Sequence, residues 1–334
     1  MSKIANIRDW KPARQFPETY PGDRPSYSYF LINDSIYPIQ FDHPLELRFE
    51  NEVGETLHVD EVLKAFNLPL VKERFGLLCY GGNRNPATLY IKFLNYHYRS
   101  PGNGLAVPVL RGEISGADVV ACGLSGQGYF YGDLLWNSAL SHETRVEAWL
   151  ALLDSDQLRV IHDSEGISGG DYIAAQFTGV TINGSHKSIS PMGYAGRTPV
   201  LTSPKFKMPI AYKTVGAKGR TIPEMTAIEM LDHLIEGFDL REQVCTVTGI
   251  RNDVDLSMEL MKYMNGQWWY KFNTGQRPIN GYVEVMRLFV EKIKKHSLSE
   301  STAEQMARIG QALSAEETYY PDKKFTFSAL IGDS

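Results

Sequence analysis

The chain of 334 residues is 43% hydrophobic and 22% charged, with 29 glycines and 17 prolines. This composition is typical of globular proteins and excludes collagen-like, disordered and coiled-coil chains; the length suits about two average domains, or one large domain with extensions. The net charge of -5 gives no general attraction to nucleic acid or to an anionic membrane, so any such attraction has to be local.

The cysteines and the N-terminus indicate the compartment. Cys79, Cys122 and Cys245 are odd in number, lie far apart and form no CxxC pair, which favours a reducing compartment without a disulfide framework. The first ten residues place charge where a signal peptide needs an apolar core, and no later stretch approaches the ~20 apolar residues of a membrane span. We therefore expect a soluble cytoplasmic protein without a membrane partner.

Residues 1–70 differ from the rest of the chain. The segment 9–28 contains four prolines among Trp and Tyr residues and predicts an extended arm that lies over a surface. Alternating apolar residues predict strands over 27–38 and 45–49, and the spacing over 59–66 predicts a short helix. The region 1–70 is thus expected to be a small α/β or β extension.

Strands and short helices alternate beyond residue 75. The apolar run 75–79 predicts a buried strand, and the glycine pair after it predicts a tight turn, with Asn85 as the N-cap and Pro86 as the first residue of a helix over 87–96. Further predicted elements are strands over 107–122, 128–136, 146–153 and 172–180, and a short helix over 155–162. This order is typical of an α+β fold with a small mixed barrel or curled sheet.

The last hundred residues are predicted to be helical. Amphipathic spacing predicts helices over 224–236, 255–264, 282–295 and 300–313, the second ending near Gly266. Ser301 and Glu304 have the spacing of a capping box. We expect a helical C-terminal region over 238–334, in which Trp268 and its aromatic neighbours form a packing core or a docking surface. These helices also offer a surface for a homo-oligomer.

Two local patterns in the central region could carry chemistry. The glycines of the turn after residue 79 let a ligand approach the backbone closely, and the N–H groups at the following helix start could bind a carboxylate or a developing oxyanion. The segment 154–172 delivers Glu165 onto a glycine-flanked loop. Each pattern alone also has a plain interpretation, a structural turn and a surface glutamate.

Together the two patterns resemble the γ-glutamylcyclotransferase-like family. In that family a strand ends in Tyr-Gly-Ser-Asn before a helix, and a later Leu-Asp-x-x-Glu-Gly segment precedes a Gly-x-Tyr strand start. The turn and helix over 212–234 are similar to the family's closing segment. The matching residues here are Tyr80, Gly81, Gly82 and Asn83, then Ile161 to Gly166, then Gly170, Asp171 and Tyr172, and further on Tyr194.

This resemblance, which covers residues 75–237, implies a fold, a reaction and a set of site residues. The fold is an α+β protein whose residues 71–237 form a small mixed β-barrel of the γ-glutamylcyclotransferase-like type. The reaction cleaves a γ-glutamyl amide by attack of the substrate's own α-amine, giving 5-oxoproline and a free amine without cofactor or metal. Glu165 matches the family's general acid/base, which is needed because the ammonium cannot attack until it loses a proton. The substrate-binding candidates are Tyr80, Gly81, Gly82, Asn83, Tyr172 and Tyr194, although the tyrosines could also be packing residues.

Two positions depart from the family pattern. Gly82 replaces the usual Ser, which removes a hydroxyl that could bond to the substrate, and His162 stands where the family has Asp. His162 could be a structural residue at the end of a helix or a proton relay beside Glu165. Both changes put glutathione-type substrates in doubt.

A basic interval lies between Asp171 and Glu224, which contains no acidic residue. Its local positive field could steer an anionic γ-glutamyl compound, or less plausibly a nucleotide or nucleic acid, while solvated lysines at strand edges are the plain alternative. The basic residues proposed for such contacts are Lys205, Lys207, Lys213, Lys218 and Arg220.

Other functions remain open at this point. The same pocket could serve an acyl or γ-glutamyl transferase, or an amide hydrolase acting on an anionic metabolite, and it could also bind a small molecule or nucleotide without catalysis. The sequence Gly123–Gln127 fails the GxSxG pattern at its last position, and the histidines show no metal-ligand spacing. Cys79 lies inside an apolar run and is interpreted as an inert buried thiol.

Overall fold

Strands dominate the first 225 residues of the protein and helices the remainder. The structure, a computed structural model, describes residues 4–43, 46–95, 98, 104–183, 185 and 187–332. It confirms the predicted α+β class. No helix in these ranges is both long enough and apolar enough to cross a membrane.

The described strands are β1 (Ala5–Asn6), β2 (Tyr29–Ile32), β3 (Ser35–His43), β4 (Glu46–Glu50), β5 (Thr56–His58), β6 (Phe75–Cys79), β7 (Ala106–Ser115), β8 (Ala117–Leu124), β9 (Phe130–Trp136), β10 (Arg145–Leu153), β11 (Tyr172–Gln176), β12 (Val180–Ile182), β13 (Ser188–Ile189), β14 (Met192–Gly196), β15 (Ala211–Tyr212), β16 (Ala217–Lys218) and β17 (Glu224–Met225).

The described α-helices are α1 (Val59–Ala65), α2 (Pro86–Asn95), α3 (Ser155–Ser164), α4 (Ala227–Gly237), α5 (Arg241–Thr248), α6 (Leu256–Thr274), α7 (Asn280–Lys295), α8 (Thr302–Arg308), α9 (Ala315–Tyr319) and α10 (Phe327–Ile331). Short 3-10 turns connect several elements, among them Gly82–Arg84 between β6 and α2.

Two open sheets organise these strands. The main path of the larger sheet runs β11-β14-β6-β10-β7-β2-β3-β4-β5, and the smaller sheet runs β17-β15-β8-β9. Neither path closes on itself within the described residues, so the predicted barrel is not confirmed: its strands form a sheet with two edges. The strands of the first 70 residues pair with β7 through β2, and the division of the chain at residues 70 and 237 stays a prediction.

Both faces of the central strands are covered, which explains their nearly continuous apolar sequences. Successive residues of a strand point to opposite faces. On β10, Trp149 and Ala151 pack in one hydrophobic cluster with residues of α2 and α3, whereas Leu150 and Leu152 pack in another cluster with residues of α4, α6 and α7. Helices therefore lie on each side of the sheet, and α2 and α3 share one side.

Several element boundaries differ from the sequence-based predictions. The strand expected over 172–180 ends at Gln176, and the helix expected over 224–236 begins at Ala227. The expected strand over 107–122 is divided into β7 and β8 by Gly116, whose φ of 73° lies in the left-handed region that glycine adopts without strain. The helix expected to end near Gly266 continues to Thr274 as α6, because one exposed glycine costs only about 1 kcal/mol relative to alanine. The capping box at Ser301 is confirmed, but its helix, α8, ends at Arg308.

The C-terminal region is helical, but its description as an appendage is not confirmed. Leu313 N–H donates to the Ala174 carbonyl of β11 at 2.9 Å, and Phe327 N–H donates to the Arg74 carbonyl at 2.7 Å. Phe75 forms an isolated β-bridge with Thr326. Residues 313–327 therefore return to the central sheet, at the edge strand β11 and at the start of β6.

Candidate active site

Three neighbouring strands bring the predicted tyrosines to one place. β14 runs parallel to β6, with Met192 opposite Leu77, and β11 pairs antiparallel with β14, with Tyr172 opposite Gly196. Tyr80 follows the last residue of β6, and Tyr194 lies in β14. The ends of adjacent strands thus place Tyr80, Tyr172 and Tyr194 around one small cavity.

Helix α3 brings Glu165 to the same end of β6. Leu153, the last residue of β10, pairs with Phe75, the first residue of β6, so α3 begins at the opposite end of β6 from the turn at Tyr80. The ten residues of α3 span about 15 Å, close to the ~16 Å of a five-residue strand. Glu165, the C-cap of α3, therefore lies beside the turn.

The start of α3 is fixed by a buried arginine and an N-cap. Arg74 is fully buried and its guanidinium donates to the Leu152 carbonyl at 2.8 Å and to the Gln157 side chain. Asp154 accepts a hydrogen bond from the Gln157 N–H at 2.8 Å, which satisfies one of the free donors at the helix start. A helix held at its beginning sets the position of Glu165 at its end.

The carboxylate of Glu165 is held on one side only. Its Oε1 accepts hydrogen bonds from Asn83 Nδ2 at 2.7 Å and from the Lys92 ammonium, which forms an ion pair with it. Lys92 also donates to Asn83 Oδ1 at 2.7 Å, which completes a triangle of side chains. Oε2 has no hydrogen-bond partner among the described residues.

The surroundings keep Glu165 ionised. Burial alone would raise the pKa of this carboxyl, but the charge and hydrogen bond of Lys92, the hydrogen bond of Asn83 and the charge of Arg14 together lower it below the usual value of 4.5. Burial also lowers the pKa of Lys92, although Glu165 counteracts this. The C-terminal end of a helix disfavours negative charge, so Lys92 also offsets an unfavourable position for the carboxylate.

The turn between β6 and α2 forms as the sequence predicts. Asn85 caps α2 by accepting the Thr88 N–H at 2.8 Å, and Pro86 is the first helical residue. Gly81, Gly82 and Asn83 line the small cavity together with Glu165. The first N–H groups of a helical turn have no acceptor within that turn, and those of Gly82 and Asn83 bond to no described residue.

Each predicted tyrosine has a defined environment. The Tyr80 hydroxyl lies 2.8 Å from Asp133 Oδ1 and 2.7 Å from the Tyr194 carbonyl oxygen, and Asp133 is itself fully buried. The ring of Tyr172 is half-buried and its centre lies 6.5 Å from that of Tyr194. Burial raises the pKa of all three phenols, so they remain protonated and act as hydrogen-bonding walls.

His162 is buried on the far side of Tyr194. Its Nδ1 lies 2.9 Å from the Tyr194 hydroxyl, and it borders neither the small cavity nor the neighbouring cleft. Burial lowers its pKa to about 4, so the ring is neutral at physiological pH. These contacts favour a structural role that orients Tyr194, and the relay role stays a prediction.

Sequence reasoning missed the residues that other parts of the chain add to the site. The cavity has a volume of about 60 Å³ and includes Tyr20, whose hydroxyl accepts the Gly132 N–H at 2.6 Å. A cleft of about 620 Å³ adjoins it, shares Glu165 and Tyr172 with it, and includes Arg14 and Trp268. The residues 1–70 and 238–334 therefore help to build the walls of the site.

None of the five basic residues proposed for anionic contacts lines this cleft. Lys218 forms an ion pair with Glu113 at 2.8 Å, and Arg220 forms one with Asp118 at 2.7 Å. Lys205 and Lys213 border a separate cleft of about 740 Å³ together with four carboxylates, which belong to Glu224, Glu229, Asp232 and Glu236. Acidic residues from outside the interval thus offset part of its positive charge.

The neighbourhood of Glu165 offers neither a reactive thiol nor a metal-ligand cluster among the described residues. Cys79 is buried and its pKa is raised to about 12 by that burial, which agrees with the prediction of an inert thiol. Within the ranges that the structure describes, no three His, Cys, Asp or Glu side chains are grouped so as to hold a metal ion.

No family model and no curated protein matches the chain. Solved structures similar to it include an uncharacterized protein from Homo sapiens (17% identity, 40% of this chain and 75% of the other, TM-score 0.27). They also include a gamma-glutamyl cyclotransferase, with 10% identity and a TM-score of 0.27, where the match covers 64% of this chain and 99% of the other. A third is YkqA from Bacillus subtilis, with 12% identity and a TM-score of 0.28, where the match covers 69% of this chain and 70% of the other. At these TM-scores the likenesses carry no information about the activity of this chain.

Proposed function

We propose that the protein cleaves a γ-glutamyl amide by intramolecular attack of the substrate's α-amine, releasing 5-oxoproline and a free amine. The observation that carries the proposal is the carboxylate of Glu165. Its Oε1 is anchored by Asn83 and Lys92, while Oε2 is free beside a cavity that the glycine turn also lines. A carboxylate fixed in this way can exchange a proton with a substrate nitrogen without losing its position.

The proposed steps conserve atoms and protons. The substrate's α-ammonium gives a proton to Oε2 of Glu165, and the freed nitrogen forms a bond to the γ-carbonyl carbon. The N–H groups of Gly82 and Asn83 bind the oxygen on which negative charge develops. The carbon–nitrogen bond to the leaving amine then breaks as Glu165 returns the proton to that nitrogen. The ring nitrogen still carries two hydrogens, and it passes one of them through Glu165 to the released amine, so the products are 5-oxoproline with a single N–H and an ammonium. Holding the γ-glutamyl chain curled supplies the proximity that an intramolecular attack needs.

Substitution of Glu165 tests the mechanism. We expect Glu165→Gln to lower kcat by about 10²- to 10⁴-fold, the usual contribution of a positioned general base. The measurement is product formation from a panel of γ-glutamyl amides by mass spectrometry, in which 5-oxoproline indicates cyclisation and glutamate indicates hydrolysis. Asp156→Asn, at an exposed position on the same helix, serves as the control. Wild-type turnover in Glu165→Gln would show that another group moves the proton.

A small-molecule-binding module without catalysis is the second candidate. The ion pair with Lys92 favours it, because a carboxylate whose pKa is lowered is a weaker base and a stable binding group. The same panel separates the two functions. Saturable binding of a γ-glutamyl amide to the wild-type protein, with no release of amine, supports the binding module and contradicts the enzyme.

A further inference from the structure

The N-terminal arm, residues 10–25, is part of the site wall and has a fixed position. It adds Tyr20 to the small cavity and Arg14 to the larger cleft. Asn85, whose side-chain oxygen caps α2, uses its Nδ2 to donate to the carbonyls of Lys11 at 3.1 Å and Asp23 at 2.8 Å. One side chain thus connects the start of α2 to both ends of the arm.

The backbone at Arg14 is held from two further directions. Its carbonyl accepts a hydrogen bond from Gln127 Nε2 at 3.1 Å and another from Trp269 Nε1 at 3.2 Å. Gln127 belongs to the turn between β8 and β9, and Trp269 belongs to α6. These bonds fix where the Arg14 side chain starts, so its place on the cleft wall follows from three separate parts of the chain.

The guanidinium of Arg14 has no partner of its own. The side chain belongs to a half-buried residue, and it makes no hydrogen bond or ion pair with any residue that the structure describes. The charge of Arg14 contributes to the lowered pKa of Glu165 in the same cleft, but no hydrogen bond or ion pair joins the two side chains, and Glu165 already forms an ion pair with Lys92. Keeping a cation partly out of water without a counter-ion is unfavourable, and a planar guanidinium is well suited to a bidentate bond with a carboxylate or phosphate.

We propose that Arg14 is a specificity-determining residue, which binds an anionic group, carboxylate or phosphate, on the amine portion of the substrate. This inference rests on the proposed function. Arg14 borders the larger cleft and not the small cavity, so it meets the part of the substrate that extends away from the reacting γ-carbonyl. Asp163 and Asp171 also border the cleft, but both are exposed and solvent screens their charges.

Binding to the Glu165→Gln variant tests the inference without turnover. The ligands are γ-glutamyl-alanine, γ-glutamyl-phosphoethanolamine, the neutral γ-glutamyl-ethylamide and the cationic γ-glutamyl-1,4-diaminobutane. We expect the two anionic ligands to bind about 10- to 100-fold more tightly than the ethylamide, the usual effect of a hydrogen bond to a charged group. Adding Arg14→Met removes this preference, so that the anionic ligands bind no more tightly than the ethylamide. Arg8→Met, at an exposed position in the same N-terminal segment, is the control.

The outcomes separate this inference from the proposed function. Three results would each overturn the role of Arg14, whether or not 5-oxoproline forms. They are equal binding of anionic and neutral ligands, tighter binding of the cationic ligand, and an Arg14→Met variant that keeps the full preference for anionic ligands. An Arg14-dependent preference without 5-oxoproline production by the wild-type protein would support Arg14 and overturn the enzyme. If Glu165→Gln does not fold, the ratio of kcat/KM for the same ligands in the Arg14→Met and wild-type proteins replaces the binding measurement.

Discussion

The ion pair between Lys92 and Glu165 makes a quantitative prediction for Lys92→Met. The Lys92 side chain is 5% exposed and that of Glu165 is 20% exposed, so the substitution leaves a largely buried carboxylate at the C-terminal end of α3 without its cation. Breaking a buried pair by removing one partner costs about 3 to 5 kcal/mol. Because Glu165 keeps some contact with solvent, we expect a loss near the lower end, about 3 kcal/mol of unfolding free energy at pH 7.

A double variant separates charge from packing. Urea denaturation of the wild type, Lys92→Met, Glu165→Gln and the combined variant gives the coupling between the two residues. We expect the combined variant to be more stable than Lys92→Met alone, because it buries no uncompensated charge. A loss below about 1 kcal/mol for Lys92→Met, the usual value of an exposed pair, would refute the argument that this pair is buried and essential.

The same substitution changes the pH dependence in a known direction. In the wild type the pKa of Glu165 is lowered, so the pair contributes its full stability above the ordinary value of 4.5, and this contribution is lost as the pH falls through the folded-state pKa. Without Lys92, burial dominates and the pKa of Glu165 rises. We therefore expect the acid limb of the kcat/KM profile to move to higher pH in Lys92→Met; an unmoved limb would show that Lys92 does not control the ionisation of Glu165.

Two further substitutions test neighbouring residues. Burial in the folded state lowers the pKa of His162 from 6.5 to about 4. Between these two values the unfolded chain binds a proton at this residue and the native state does not, so the free energy of unfolding decreases by about 3 kcal/mol as the pH falls from 7 to 4. His162→Gln should remove this part of the decrease in denaturation experiments, and an identical pH dependence in the variant would contradict a neutral buried ring. Gly82→Ser should fold normally, with stability changed by less than about 0.5 kcal/mol, because a Cβ there would lie 3.7 Å from Thr88 Cγ2. A large loss in its melting temperature would show that the turn requires glycine.

The residues of the short motifs could be predicted from sequence because each motif is local. Tyr80, Asn83 and Glu165 lie at the ends of a strand, a turn and a helix whose boundaries are indicated by apolar runs and capping residues. Their convergence follows from the pairing of β6 with β10 and from the length of α3. The ordered set of motifs was therefore enough to select residues that line one cavity.

The partners from distant segments could not be predicted in the same way. Lys92 is separated from Glu165 by 73 positions, and a lysine in a helix is most often exposed. The helical spacing did indicate that Lys92 is buried. Lys92 follows Leu89 by three positions and Thr88 by four, and both of these residues are on the buried face of α2. A charge on that face requires a partner. No such signal marked Arg14, because an arm without periodic structure does not reveal which surface it covers.

The strand pairing explains why the barrel prediction failed. Local patterns located most strands, but closure depends on which edge strands meet, and that choice is determined by contacts between residues far apart in sequence. β11 and β5 stand at the two ends of the described main path. The C-terminal residues that follow α8 hydrogen-bond to β11, so this edge is covered by a returning chain instead of by another strand of the same sheet.

The arrangement of the walls explains why the chain is longer than its motifs require. The motif residues surround a cavity of only about 60 Å³, which suits the reacting atoms of a γ-glutamyl group but not a whole substrate. The arm at Arg14 and helix α6 at Trp268 extend that space into a cleft of about 620 Å³. The reacting group would therefore be positioned by the central segment, while the flanking segments meet the portion that differs between γ-glutamyl amides. Under the proposed function, the added length supplies selection of the substrate rather than catalysis.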